Sequence, residues 1–200
     1  MHRIPIALIY SRLVIGFIIL TLSLYPPVDY KTISITLLAI GLLTDIFDGI
    51  IARKLNVSTE KLRRLDSSID QIFFLAVVAA TYIQCPDFYK NHWLKLSLLM
   101  GVEAFIYLVS FIKFKKEIAT HSIGAKVWTL LLFATLIQLI VQCESGLLFE
   151  LCFWVGILTR LEIIAITLAL RTWTNDVPSL YHAIILRRGK EINRHKMFNG

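Results

Sequence analysis

Six long apolar runs constrain this chain more than any other feature: residues 6–25, 31–53, 66–84, 94–113, 122–143 and 150–170. Each approaches or exceeds the roughly 20 residues that an α-helix needs to cross a bilayer. Backbone N–H and C=O groups in lipid must be satisfied within the segment, so the runs are expected as helices rather than loops or open sheets. Composition agrees: 56% of residues are hydrophobic, 18% are charged and mean hydropathy is +0.69. A soluble domain carries about 25% charged residues. The sequence therefore reads as an all-α polytopic membrane protein with six transmembrane helices. Residues 1–174 form one transmembrane catalytic domain, with no room for a sizeable soluble one. The first run resembles a signal peptide in its basic start, but no small-residue cleavage pattern closes it, and it is expected to stay as helix 1.

Charge sets the orientation. With the N-terminus inside, fifteen of the 21 Lys and Arg residues fall in inner segments, and only Lys31, Lys90 and Lys95 fall in outer ones. This asymmetry is a positive-inside signal. It predicts cytoplasmic N- and C-termini in the cell (inner) membrane. Tyr and Trp residues cluster near the predicted helix ends, as interfacial aromatics do. The net charge of +7 suits anionic lipid heads. It does not indicate nucleic acid, because the basic residues form no face interleaved with aromatics. Residues 175–200 are expected as a basic amphipathic cytoplasmic tail, either lying on the inner leaflet or solvated. Cys85, Cys143 and Cys152 lack metal-ligand spacing and fall near outer helix ends. They read as three buried thiols, with a disulfide as the alternative.

The chemistry concentrates in "TDIFDGIIARKLNVSTEKLRRLDSSIDQI", residues 44–72. Asp45, Asp48, Gly49 and Ala52 stand at helical spacing and share one face. Asp66 and Asp70, four apart, share another. Residues 54–65 are expected to connect the two helices on the cytoplasmic side and bring both faces together. With the inner boundary near Arg53, Asp48 lies about 7 Å and Asp45 about 12 Å inside. With entry near Arg64, Asp66 lies about 3 Å and Asp70 about 9 Å inside. Four carboxylates thus fall in one shallow layer. An ionised Asp costs about 2.5 kcal/mol or more at the membrane centre, and four repel one another. Divalent cations remove both penalties. An all-oxygen donor set suits Mg²⁺ or Mn²⁺ rather than zinc, and four carboxylates suit a two-metal site of the kind that clamps phosphoryl groups. The alternative is a solvated acid cluster paired with Arg53, Arg63 and Arg64.

This stretch resembles the signature of the CDP-alcohol phosphotransferases (CDP-alcohol phosphatidyltransferases), D-x-x-D-G-x-x-A-R, eight residues, then G-x-x-x-D-x-x-x-D. Here it runs "DIFDGIIAR" from Asp45 to Arg53, then Lys54 to Lys61, then "LRRLDSSID" from Leu62 to Asp70. One fixed position departs: Leu62 replaces the second glycine. The resemblance implies six membrane helices, a homodimer, and transfer of a phosphatidyl or similar group from a CDP-linked lipid or alcohol to an acceptor alcohol, with release of CMP. It implies Asp45, Asp48 and Asp66 as the main metal ligands, and Asp70 as general base that also touches metal. Asp48, Gly49, Ala52 and Arg53 would border the nucleotide. Leu62 would crowd that nucleotide, and it also fits a catalytically impaired, lipid-binding relative.

The acceptor is read from basic residues within the spans. "IPIALIYSR", Ile4 to Arg12, resembles the N-terminal stretch of the phosphatidylglycerophosphate synthases, with Pro5 and Arg12 matching. "IGAKVWT", Ile123 to Thr129, resembles a second stretch of theirs more loosely. Lys126, Arg160 and Arg12 are assigned to the phosphate of a phosphorylated acceptor, either glycerol 3-phosphate or inositol phosphate. Two other assignments stay open: Lys126 and Arg160 pair with Glu103 and Glu162, and Arg12 snorkels to the interface. The expected function is phosphatidyl transfer from CDP-diacylglycerol in phospholipid biosynthesis. The alternatives are a membrane prenyltransferase of the UbiA type and a divalent-cation transporter, whose ion site would be expected nearer mid-membrane.

Overall fold

A computed structural model of the chain describes residues 3–55, 59–116, 122–174 and 177–190. These residues form eight helices and no strand: α1 (Arg3–Leu24), α2 (Tyr30–Lys54), α3 (Glu60–Gln84), α4 (Pro86–Asn91), α5 (Trp93–Phe114), α6 (Ile123–Gln142), α7 (Leu147–Ala169) and α8 (Leu180–Arg187). Six of them, α1 to α3 and α5 to α7, are long and apolar enough to cross a membrane. The all-α, six-span reading of the sequence therefore holds, and the chain is a multi-pass membrane protein.

Local chemistry explains the helix ends. Pro26 and Pro27 follow the end of α1, and the Pro27 carbonyl accepts the Tyr30 N–H at 3.0 Å as α2 begins. Proline fits there because it has no N–H to leave unpaired. The start of α3 differs from expectation. Thr59 caps it, its hydroxyl accepting the Leu62 N–H at 3.2 Å, and the helix begins at Glu60. Most of the expected connection over 54–65 is thus helical. Hydropathy marks where a helix enters lipid, whereas the cap marks where its hydrogen bonding starts, and here the two lie about one turn apart.

The residues fall into two compact units. The first comprises Met1–Lys90 with Leu136–Glu144. In it α1 packs against both α2 and α3. The three helices converge on the buried ring of Phe73 in α3. A Cβ at Gly41 of α2 would lie 2.5 Å from the Phe73 Cζ, and one at Gly16 of α1 would lie 3.2 Å from its Cδ2. Two glycines on different helices thus make room for one ring. Gly41 stands one turn before Asp45, and Phe73 one turn after Asp70, so this close approach sets the spacing of the acids.

At the other end of α3 a disulfide joins Cys85 to Cys143. This corrects the reading of three buried thiols; Cys152 is the free cysteine, and it is buried. Burial propensity alone could not see that the end of α3 and the residue after α6 meet. Lys31 Nζ donates to the Val141 carbonyl at 2.7 Å in the same unit. The short α4 is pinned by Tyr89, whose hydroxyl lies 2.5 Å from that of Thr81.

The second unit comprises Asn91–Thr135 and Ser145–Gly200. Here α7 packs against α5 and α8. Lys113 Nζ donates to the carbonyls of Thr167 at 2.9 Å and Leu168 at 2.7 Å. Those carbonyls belong to the last turn of α7, which lacks intrahelical donors and favours a cation. Within the expected basic tail, α8 buries Ala183 against Ile166, Leu170 and Val177. Residues 175–176 and 191–200 of the tail lie outside the described residues.

Two outcomes are expected. Gly41→Ala should lower stability by about 1–3 kcal/mol, the usual cost of overpacking, read as a fall in the melting temperature in detergent. Gly101→Ala, which would meet nothing within 4 Å, should be neutral or stabilising. Under denaturing, non-reducing conditions a thiol assay should find one reactive cysteine per chain, and three after reduction.

Candidate active site

The four aspartates come from two helices, Asp45 and Asp48 from α2 and Asp66 and Asp70 from α3. The structure brings all four around one side chain, Arg12 of α1. Its Nη1 donates to Asp45 Oδ1 at 2.5 Å and to Asp70 Oδ1. Its Nη2 donates to Asp48 Oδ2 at 2.6 Å and to Asp66 Oδ1. A guanidinium carries two N–H donors on each terminal nitrogen, so four donors meet four carboxylates one for one. The remaining Nε–H is buried without a hydrogen-bond partner.

Burial is uneven. The Arg12 and Asp48 side chains are 1% and 4% exposed, whereas Asp45 is 38% and Asp66 and Asp70 are each 31% exposed. The ring of acids is therefore closed beneath by Arg12 and Asp48 and open on its other side. Charge-assisted hydrogen bonds of this kind are strong, and they compensate a charge that burial alone would penalise heavily. One guanidinium faces four carboxylates, so the cluster offers more acidic groups than Arg12 alone can balance.

The residues present fit divalent metal. Asp45, Asp48 and Asp66 each offer one oxygen, and these oxygens all lie within 4.8 Å of one another. The donors are all carboxylate oxygens, the set that hard cations such as Mg²⁺ and Mn²⁺ prefer. Asp70 joins this trio through its shared contact with Arg12.

The expected nucleotide-side residues follow Asp48 along α2. Gly49 is half-buried and Ala52 is buried. The backbone of Arg53 belongs to α2, but its side chain lies outside the described residues. Leu62 sits half-buried in the first turn of α3, one turn before Asp66.

Lys126 and Arg160 belong to the second compact unit, on α6 and α7. Lys126 is exposed. Arg160 is buried, with its guanidinium carbon 4.1 Å from the centre of the Trp128 ring, a cation–π distance. Its Nη1 donates to the Gly156 carbonyl at 3.2 Å. Its Nε lies 2.8 Å from Glu103 Oε2, an ion-pair distance but off the line of a hydrogen bond. The pairing with Glu103 that the sequence left open is thus formed. Glu162 lies beside Gly124, where a Cβ would come within 3.2 Å of its Oε2.

The place of Arg12 is what sequence reasoning missed. The pattern within α1 points Arg12 to substrate phosphate or to the interface and gives no sign of its contacts with the four carboxylates. Helical periodicity groups residues on one helix face but does not say which other helix brings a partner. The signal available was a lone arginine within one apolar run and surplus acids within two others.

A helical membrane protein with this acid constellation between two adjacent spans is a class with a defined match. The chain belongs to the CDP-alcohol phosphatidyltransferase family, whose model covers residues 2–173. Neither curated proteins nor solved structures provide a match. The family transfers a phosphoryl-linked group from a CDP-alcohol donor to an alcohol acceptor, so the chain is a transferase by membership.

Proposed function

We propose that this protein moves the phosphatidyl group of CDP-diacylglycerol onto an acceptor alcohol that itself carries phosphate, either glycerol 3-phosphate or inositol phosphate, and releases CMP. The observation that carries this reading is the gathering of Asp45, Asp48, Asp66 and Asp70, the acids of one family signature, around a single point. Family membership lends no support to prenyl transfer or to cation transport.

In this reading Asp45, Asp48 and Asp66 hold Mg²⁺ or Mn²⁺ in a two-metal site with Asp70. Bound there, the metal supplies charge neutralisation for the diphosphate and the departing CMP. Asp70 accepts the proton of the acceptor hydroxyl. The hydroxyl oxygen then forms a bond to the lipid-side phosphorus, and the bond from that phosphorus to the CMP oxygen breaks. Gly49 and Ala52, with small or absent side chains, leave room beside α2 for the cytidine nucleotide, and Arg53 pairs with its phosphate. For the acceptor's phosphate the candidate cations are Lys126 and Arg160 in the second unit and Arg12 in the first. Rate enhancement comes from position and fixed charge. The protein acts as a homodimer in phospholipid biosynthesis.

The acids are proposed to face the cytoplasm. The distribution of Lys and Arg supports this, and the disulfide adds an independent argument. Disulfides persist in oxidising compartments. Cys85 closes α3 at the end opposite Asp70, fifteen residues and about 22 Å away by helix rise. An oxidising environment at one end of α3 supports a reading in which the carboxylates, further toward its other end, face the reducing side.

The decisive test incubates purified protein with CDP-diacylglycerol, Mg²⁺ or Mn²⁺ and a panel of acceptors, scoring CMP release. CMP should appear with a phosphorylated acceptor and fall about 10²–10⁴-fold in Asp70→Asn, the order of effect of losing a general base. No CMP with any acceptor would overturn the reading, and an active Asp70→Asn would remove Asp70 as base. Leu62→Gly should lower the KM for the CDP-linked donor; an unchanged or higher KM would rule out crowding by Leu62.

A further inference from the structure

We propose that Arg12 is a built-in counterion that competes with divalent cations for the same four carboxylates, so that metal enters the site only as the guanidinium leaves it. This inference rests on the metal-site reading above. The atoms argue for competition rather than coexistence. The oxygens offered by Asp45, Asp48 and Asp66 lie within 4.8 Å of one another, and the carboxylates that provide them each accept a hydrogen bond from Arg12. A cation held by these three carboxylates therefore meets a guanidinium already hydrogen-bonded to all three. The two are like charges, and at the buried end of the site, where Arg12 and Asp48 lie, there is little solvent to screen them.

The arginine is suited to this exchange. It cannot lose its proton, so it does not vacate the ring by titration. It leaves by moving, and its long flexible stem permits that. Its Nε–H is unpartnered where it sits, so this pose leaves one buried donor unsatisfied. It also compensates the acids incompletely, one positive charge against four carboxylates, whereas two divalent cations would balance them. Arg12 holds the helices together before metal arrives and yields to a better-matched charge afterwards. Side chains on a helix point toward its N-terminus. For α1 that is the end the sequence assigns to the cytoplasmic surface, so a released guanidinium swings toward the layer where polar substrate groups arrive.

The test uses the full-length protein in nanodiscs of neutral lipid. Mn²⁺ is titrated into wild type, Arg12→Gln and Asp48→Asn while the signal of free Mn²⁺ is followed by electron paramagnetic resonance. Arg12→Gln should bind Mn²⁺ at least about tenfold more tightly than wild type, and Asp48→Asn more weakly. In parallel, wild-type protein is treated with phenylglyoxal and the Arg12 peptide is quantified by mass spectrometry. Modification of Arg12 should rise several-fold when Mn²⁺ is present. If wild type binds Mn²⁺ but Arg12→Gln binds it no more tightly, and Mn²⁺ leaves the reactivity of Arg12 unchanged, the competition is refuted while the metal site stands. If none of the three binds Mn²⁺, the metal reading itself falls and takes this inference with it. Should Arg12→Gln not fold, the reactivity of wild-type Arg12 decides alone.

Discussion

Charge carried into an apolar layer has to be matched within that layer. An aspartate at the membrane centre costs about 2.5–3.5 kcal/mol on insertion scales, and less near the surface. Four of them therefore put at risk up to about 14 kcal/mol, comparable with the whole stability of a typical domain. The structure meets this demand with one side chain, Arg12, whose four terminal N–H donors each reach a different carboxylate. That arrangement needs α1 to lie against both α2 and α3, as it does. It also needs the helices close enough for one guanidinium to touch all four acids. Gly16 and Gly41 provide that closeness by letting the Phe73 ring sit where a side chain would otherwise stand. Sequence, helix packing and the charge of the site are thus one chain of cause.

The first unit is held differently at its two ends. Near the acids the helices are joined by ionic contacts, which exchange readily with a competing ion. Near Cys85 and Cys143 they are joined by a covalent bond, supported by the hydrogen bond from Lys31 to Val141. A cross-link of sequence separation 58 stabilises chiefly by restricting the unfolded chain. It does so without constraining the chemistry at the far end of α3. On the proposed function, a site that admits metal and a CDP-linked donor gains from such a division, because its own contacts can rearrange while the covalent end stays closed.

Much of this was legible in the sequence, and what was not has a physical reason. The six spans follow from length and hydropathy, because a bilayer permits few alternatives. The paired faces of Asp45 with Asp48 and of Asp66 with Asp70 follow from helical spacing. Three features needed tertiary information. The Cys85–Cys143 bond depends on which helix ends meet. The pairing of Arg160 with Glu103, beneath the Trp128 ring, was one of two assignments that hydropathy could not separate. The place of Arg12 depends on α1 lying against the acid-bearing helices, which no pattern within α1 encodes. The start of α3 at Glu60 was missed for a different reason: its first turns are polar, and a hydropathy reading treats polar residues as connection.

That early start changes the meaning of Leu62. In a loop, a leucine in place of glycine would chiefly alter backbone freedom. In the first turn of a capped helix the backbone is already fixed, and the Leu62 N–H is held by Thr59. Glycine would weaken that turn, since it is a poor helix former. The substitution therefore favours a firm start to α3 and adds a half-buried side chain one turn before Asp66. It leaves all four acids in place. The departure thus bears on room for a ligand beside α3, not on the four carboxylates, and on the proposed function the two can be measured apart: metal affinity would report the carboxylates, and donor affinity Leu62.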